Sequence, residues 1–165
     1  MELTFTLAGP SDAAALAALR TAAAHELTRR FGPGPWSTET SEPGAVADLR
    51  HAEVWVARQS SVVVGTFRLA TKKPWAIDIT YFTNVKRPIY LTNMAVHPEV
   101  QRRGIGRRCL QHAIVRADRW PGDAIRLDAY QGGGGAGDFY RQCGFREVGR
   151  ALYRSTPLIY YELVL

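Results

Sequence analysis

The chain has 165 residues, 46% of them hydrophobic and 22% charged, and a net charge of +6 from 21 Lys+Arg against 15 Asp+Glu. That length fits one globular domain able to bury about 70% of the surface its unfolded chain exposes, so no disulfide or metal staple is needed. Cys109 and Cys143 show no metal or redox spacing, no basic leader precedes an apolar run, and the alanine-rich stretch after Ser11 is too polar to span a bilayer. The expectation is a single cytoplasmic domain over residues 1–165, with no metal and no membrane contact.

Residues 3–7 read as a first strand, broken at Gly9-Pro10. Ser11 suits an N-cap and Asp12 a first turn, and Leu16, Leu19, Ala23, Leu27 and Phe31 recur at helical spacing until Gly32. Three prolines and several Ser/Thr residues make 32–43 a loop, with Ser41 placed to cap a short helix reaching about His51. Residues 54–58 and 62–70 form a hairpin around Gln59-Ser60-Ser61. In 72–88, Ile77, Ile79, Tyr81 and Val85 suggest extended chain, but Pro74 and Pro88 interrupt it. Residues 89–96 are a strand. Ile105, Cys109, Ala113 and Ala117 then give the next helix an apolar stripe, and Pro121 stops it. A strand at 125–130 follows, then a flexible glycine junction at 132–135 and a short helix at 136–143 closed by Gly144. Two last strands lie at 145–153 and 158–165. The order predicts a mixed α/β (α+β) fold, one sheet of about six to seven strands flanked by about four helices.

The segment Gln101-Arg102-Arg103-Gly104-Ile105-Gly106 sits where the strand at 89–96 hands over to that helix. Glycines there let the backbone turn tightly and approach a ligand, and a helix start presents unpaired N–H groups with partial positive charge. Six arginines and one acid, Asp118, lie between positions 101 and 119, so most of the excess charge gathers here. The combination suits a diphosphate.

With strand, junction and helix in order, the chain resembles the GNAT (N-acetyltransferase) superfamily. Residues 101–106 fit that family's Gln/Arg-x-x-Gly-x-Gly/Ala signature. Asn93-Met94-Ala95-Val96-His97-Pro98 resembles its strand-end segment, and Phe139-Tyr140-Arg141-Gln142-Cys143-Gly144-Phe145 its Tyr-x-x-x-Gly-Phe segment. The likeness covers residues 89–150 at motif level. It implies acetyl-CoA as acyl donor, with the backbone of Met94, Ala95 and Val96 meeting the pantetheine arm and thioester. It also implies a pyrophosphate cradle from the N–H groups of Arg102, Arg103, Gly104, Ile105, Gly106 and Arg107. Tyr140 matches the tyrosine that protonates the leaving thiolate. Where many relatives carry an asparagine that touches the CoA arm, this chain has Gly133.

Direct transfer needs a neutral amine and therefore a proton acceptor. The strand at 89–96 has no acid or histidine. Asp128, on the next strand and twelve residues before Tyr140, stands where some relatives carry an acidic base, so the resemblance implies that role; it shares a face with Arg126 and Tyr130, and the alternative is a salt bridge to Arg126 or another arginine. Glu162, His25, Glu26 and a water relay are weaker candidates. A covalent acetyl-Cys143 route lacks a neighbouring histidine to activate the thiol. Trp36, Tyr81, Phe82, Tyr130 and Tyr160 are either core or an aromatic wall for the acceptor.

The function this implies is acyl-CoA-dependent N-acetylation of a primary amine on a small molecule, by direct attack in a ternary complex. The partners are that amine and, at most, a second copy in a homodimer. The alternative is a non-catalytic acyl-CoA-binding module or sensor. Nucleic acid is not expected, because no aromatic stacking platform is interleaved with the arginine helix.

Overall fold

Seven strands in the order β1-β2-β3-β4-β5-β7-β6 make one sheet in the computed structural model, which describes residues 2–165. The elements are β1 (Thr4–Leu7), α1 (Ala13–Phe31), α2 (Glu42–Asp48), β2 (Glu53–Gln59), β3 (Val62–Ala70), β4 (Pro88–Val96), α3 (Ile105–Arg119), β5 (Ala124–Tyr130), α4 (Gly137–Gln142), β6 (Arg146–Tyr153) and β7 (Thr156–Val164). This is the mixed fold with four helices that the sequence predicts. The chain divides into two compact units, residues 1–69 with 92–113 and residues 70–91 with 114–165. Among the described residues no helix is long and apolar enough to cross a membrane.

In the first unit, β1, β2 and β3 pair antiparallel. Alternation along β2 sends Val54 and Val56 to one face, where they pack with Ala13 and Leu16 of α1 and Ala45 of α2. Trp55 and Phe67 face the other way, onto His112 of α3, with ring centroids 4.7 and 6.2 Å away. Cys109 is fully buried there, lying 3.0 Å from where a Cβ on Gly65 would stand, and burial pushes its thiol up to about 12. Such a thiol is inert packing.

Ser11 is not the cap of α1. Proline opens a 3-10 turn at Pro10–Asp12, which moves the N-cap to Asp12. The Asp12 carboxylate accepts from Gly9 N–H at 2.9 Å and pairs with Arg58. Ser41 does cap α2, accepting from Gly44 N–H at 3.1 Å, but that helix ends at Asp48 rather than near His51. The loop at 32–43 contains a further 3-10 turn, Pro35–Ser37.

In the second unit, Pro88, Ile89 and Tyr90 of β4 pair parallel with Ala124, Ile125 and Arg126 of β5. β5 pairs antiparallel with β7 along its whole length, and β7 with β6. The ambiguous stretch before β4 is a strap with one 3-10 turn, Ile79–Tyr81, and no strand. Tyr160 holds it: its hydroxyl donates to Ala76 O at 2.5 Å and accepts from Asp78 N–H at 3.2 Å. Ile77, Phe82, Tyr90 and Tyr160 form the core beneath. Phe82 and Tyr160 are therefore core residues, and Tyr81 stacks edge-on to Tyr160 above Gly149, where a Cβ would lie 2.2 Å from its ring.

The glycine run at 132–135, expected to be a flexible junction, is a tight turn. Gly135 N–H donates to Gly132 O at 3.1 Å, and a Cβ on Gly135 would lie 1.7 Å from the Tyr130 carbonyl oxygen. Space dictates glycine at position 135, and a left-handed φ of +97 favours it at 132.

Candidate active site

In the first unit, β4 ends in an irregular turn. Asn93 has φ +51, which breaks the regular alternation of the strand just before Met94, Ala95 and Val96. His97 N–H donates to Val64 O at 2.9 Å. A 3-10 turn at Pro98–Val100 follows, and the Gln101 side chain reaches back to donate to Val96 O at 3.0 Å. That bond is a structural reason for glutamine at the head of the motif: it fixes the loop to the strand end.

Arg102 and Gly104 both adopt the left-handed region, with φ +62 and +82. Glycine does so without cost, and nothing lies within 4 Å of a Cβ built there. The first helical bond of α3 runs from Arg108 N–H to Gly104 O at 3.1 Å, so the preceding N–H groups have no intrahelical partner. Arg102, Arg103 and Arg107 are exposed and make no hydrogen bond or ion pair among the described residues. Open space, orphan donors and three unneutralised guanidinium groups meet at one helix start. A diphosphate fits that arrangement.

In the second unit, the β5–β7 register sorts the two charged residues of β5. Arg126 lies opposite Glu162, and Asp128 opposite Tyr160. Arg126, 4% exposed, donates to Tyr90 Oη at 3.1 Å and Thr83 O at 2.7 Å, with Glu162 at 3.9 Å. Glu162, 2% exposed, accepts from Thr83 N–H at 3.0 Å and Thr83 Oγ1 at 2.5 Å, and meets Arg146 at 3.4 Å. Its oxygens are committed to that network. Arg126 therefore pairs with Glu162 and not with Asp128, because the antiparallel register sets a carboxylate directly across from it.

Asp128 makes no ion pair among the described residues. Its cross-strand neighbour Tyr160 has its hydroxyl committed to the strap. Burial pushes the Asp128 carboxyl above the usual carboxylate range, opposed only by its own main-chain N–H. Tyr130, on the same face, is pushed up by burial and by the Asp128 charge.

Tyr140 sits on α4, 8% exposed, among Phe139, Phe145 and Tyr161 at centroid distances of 5.2, 5.7 and 6.1 Å. Gly144, at φ +94, reverses the chain so that Phe145 N–H donates to Tyr140 O at 3.0 Å and its ring packs on the tyrosine. That is the physical content of the Tyr-x-x-x-Gly-Phe spacing. Burial first, then the Asp128 charge, then Cys143, push the phenol above its ordinary value. Cys143 is the C-cap of α4. Of the weaker base candidates, His25 pairs with Glu39 at 2.5 Å and Glu26 with Arg29 at 2.7 Å, both at the surface. Gly133 is exposed in its turn.

Composition and spacing gave no signal for one further cluster. Arg20 of α1, 9% exposed, donates to Asp48 of α2 at 2.7 Å. The same carboxylate oxygen accepts from Asn93 Nδ2 at 3.1 Å, and Arg68 Nε donates to the Asp48 main-chain oxygen at 3.0 Å. An arginine on an alanine-rich helix reads as a surface charge. Only the fold turns it inward.

A family model described as the acetyltransferase (GNAT) domain matches residues 50–147. No curated protein matches the chain in sequence. Among solved structures, a putative acetyltransferase from Salmonella typhimurium, solved with acetyl-CoA, is similar at 19% identity and TM-score 0.71, covering 99% of this chain and 94% of its own. The PaiA N-acetyltransferase from Thermoplasma acidophilum, solved with coenzyme A, is similar at 13% identity and TM-score 0.73, covering 99% and 100%. A ribosomal-protein-alanine N-acetyltransferase from Brucella melitensis is similar at 19% identity and TM-score 0.74, covering 98% and 99%.

Proposed function

The chain belongs to the GNAT acetyltransferase family, and we propose that it acts as a single N-acetyltransferase domain moving an acetyl group from acetyl-CoA to a primary amine of a small molecule. The observation that carries this reading is Asp128: a largely buried carboxylate with no ion-pair partner among the described residues, held by burial above the ordinary carboxylate range. Two similar structures hold acetyl-CoA or coenzyme A, which supports the donor.

Acetyl-CoA, when bound, supplies a thioester carbon for the amine to attack. Main-chain N–H groups of residues 102–107, with Arg102, Arg103 and Arg107, hold the pyrophosphate. Backbone groups of Met94, Ala95 and Val96 hold the pantetheine arm, and an N–H freed at the strand irregularity donates to the thioester oxygen as negative charge develops there. Asp128 takes the proton of the attacking amine. Tyr140 donates its hydroxyl hydrogen to the departing sulfur. The amide N–C bond forms, the C–S bond breaks, and the proton lost by nitrogen is balanced by the one that sulfur receives.

The test is release of free CoA thiol from acetyl-CoA across a panel of primary amines. Amine-dependent release, with the acetyl group recovered as the amide of the amine and not as free acetate, is the expected result. Tight acetyl-CoA binding with no release on any amine would instead mark a binding module.

A further inference from the structure

The Arg20 cluster is more than a structural tie. A tie needs one cation for one carboxylate, with the donors of the cation satisfied. Here Arg20 pairs with the Asp48 carboxylate while Arg68 donates to the main-chain oxygen of the same residue, so one carboxylate stands beside two guanidinium groups. Burial holds the Arg20 pKa below its usual value, and the Arg68 charge lies close enough to add to that depression. Arg20 Nε and Nη2 are buried with no hydrogen-bond partner. Arg68 is partly exposed, and its terminal nitrogens have no partner among the described residues. The cluster therefore keeps an uncompensated positive charge and open donors. Buried donors are normally satisfied, so the unmet donors of Arg20 mark a cluster short of negative partners, and the nitrogens of it that an outside acceptor can reach are those of partly exposed Arg68.

Asn93 fixes where that acceptor would sit. It donates to Asp48 at 3.1 Å, and the next residue in the chain is Met94. An anion held by Arg68 therefore lies beside the end of β4. We infer that Arg20, Arg68, Asp48 and Asn93 form a receptor for the carboxylate of the acceptor, which is then an amino-acid-like amine carrying an acid group. Arg68 makes the contact, while Arg20 and Asp48 position it and set the charge. An α-amino acid bears its nitrogen on the carbon next to its carboxylate. Anchored there, it keeps the amine near the strand end that the proposed function gives to the thioester, and the inference rests on that reading.

The experiment is calorimetric titration of the CoA-saturated protein with α-amino acids and, separately, with their carboxamides. It is run on the wild type, Arg68→Gln and Arg68→Lys. At least one amino acid should bind about tenfold or more tightly than its amide, as a charge-assisted contact requires. Arg68→Gln should lose about tenfold for the acid and leave the amide unchanged, and Arg68→Lys should recover most of the loss. Unchanged CoA affinity in both variants shows the fold intact. Equal binding of acid and amide, binding of neither, or an Arg68→Gln loss common to both would overturn the carboxylate receptor. Failure of the wild type to bind CoA at all would overturn the proposed function beneath it.

Discussion

Replacing Asp128 with asparagine should move stability and activity in opposite directions. The folded protein holds this carboxyl above its ordinary range because burial disfavours the charge. Its unfolded value is about 3.9. A group raised on folding contributes stability in full below the unfolded value and loses it as pH rises through the folded value. At pH 7 to 8 the ionised Asp128 is therefore a net cost, about 1.4 kcal/mol for each unit by which burial has raised it. Asparagine keeps the shape and removes the charge, so the variant should melt higher than the wild type at pH 8 and converge with it below about pH 4. Activity should fall by about 10²- to 10⁴-fold, the usual worth of a general base. That loss should be largest near neutrality and shrink toward the amine's own pKa, about 10, where the nucleophile is neutral without help. The assays are thermal melts and kcat/KM, each across pH. A variant that melts lower at pH 8, or loses activity by the same factor at every pH, would make Asp128 a structural residue and remove it as the base.

Two glycines should separate by mechanism. Gly104→Ala meets no atom of the chain, and its left-handed backbone costs about 1–2 kcal/mol of stability. The added methyl enters the space proposed for the pyrophosphate, so calorimetric acetyl-CoA affinity should drop about tenfold or more. Unchanged affinity would refute the cradle. Gly135→Ala drives a Cβ onto the Tyr130 carbonyl and should destabilise the protein by about 1–3 kcal/mol in urea unfolding, as overpacking does elsewhere. A neutral result would mean that the turn opens freely.

The elements that reached their structure intact are those whose signals are local. Periodicity along 16–31 and 105–117, the Ser41 cap and the glycine at 144 each act within a turn or two of helix, and sequence carries such information directly. What failed depended on register or on tertiary space. The face shared by Arg126 and Asp128 was legible, but which one finds a partner is set by β7, where Glu162 falls opposite the first and Tyr160 opposite the second. The constraint on Gly135 was hidden because sequence does not show the Tyr130 carbonyl pressed against it. Arg20 was invisible for the same reason, since its partner Asp48 stands 28 positions away. The proposed cofactor cradle is one contiguous hexapeptide, so its residues can be nominated from sequence alone. The candidate acceptor residues are scattered over α1, α2, β3 and β4, and no spacing rule collects them.

The two acid–base candidates of the second unit bear on each other. An ordinary phenol has a pKa near 10 and a thiol near 8.5, so full proton transfer from tyrosine to a departing thiolate is uphill by about 2 kcal/mol. Burial and the Asp128 charge make Tyr140 a still weaker acid in the resting protein. The order of events relieves part of this. Once Asp128 has accepted the amine's proton it is neutral, and one of the influences that raise Tyr140 is gone when the sulfur needs its hydrogen. The proposed base, by doing its work, strengthens the proposed acid. Asp128→Asn makes that neutrality permanent, so ultraviolet titration of Tyr140, read as the difference from Tyr140→Phe, should show a phenol pKa lower than in the wild type. Tyr140→Phe itself should lower turnover by at most about 10²- to 10⁴-fold with acetyl-CoA affinity kept. An unmoved phenol in Asp128→Asn would uncouple the pair, and wild-type turnover in Tyr140→Phe would leave the sulfur to find its proton from water.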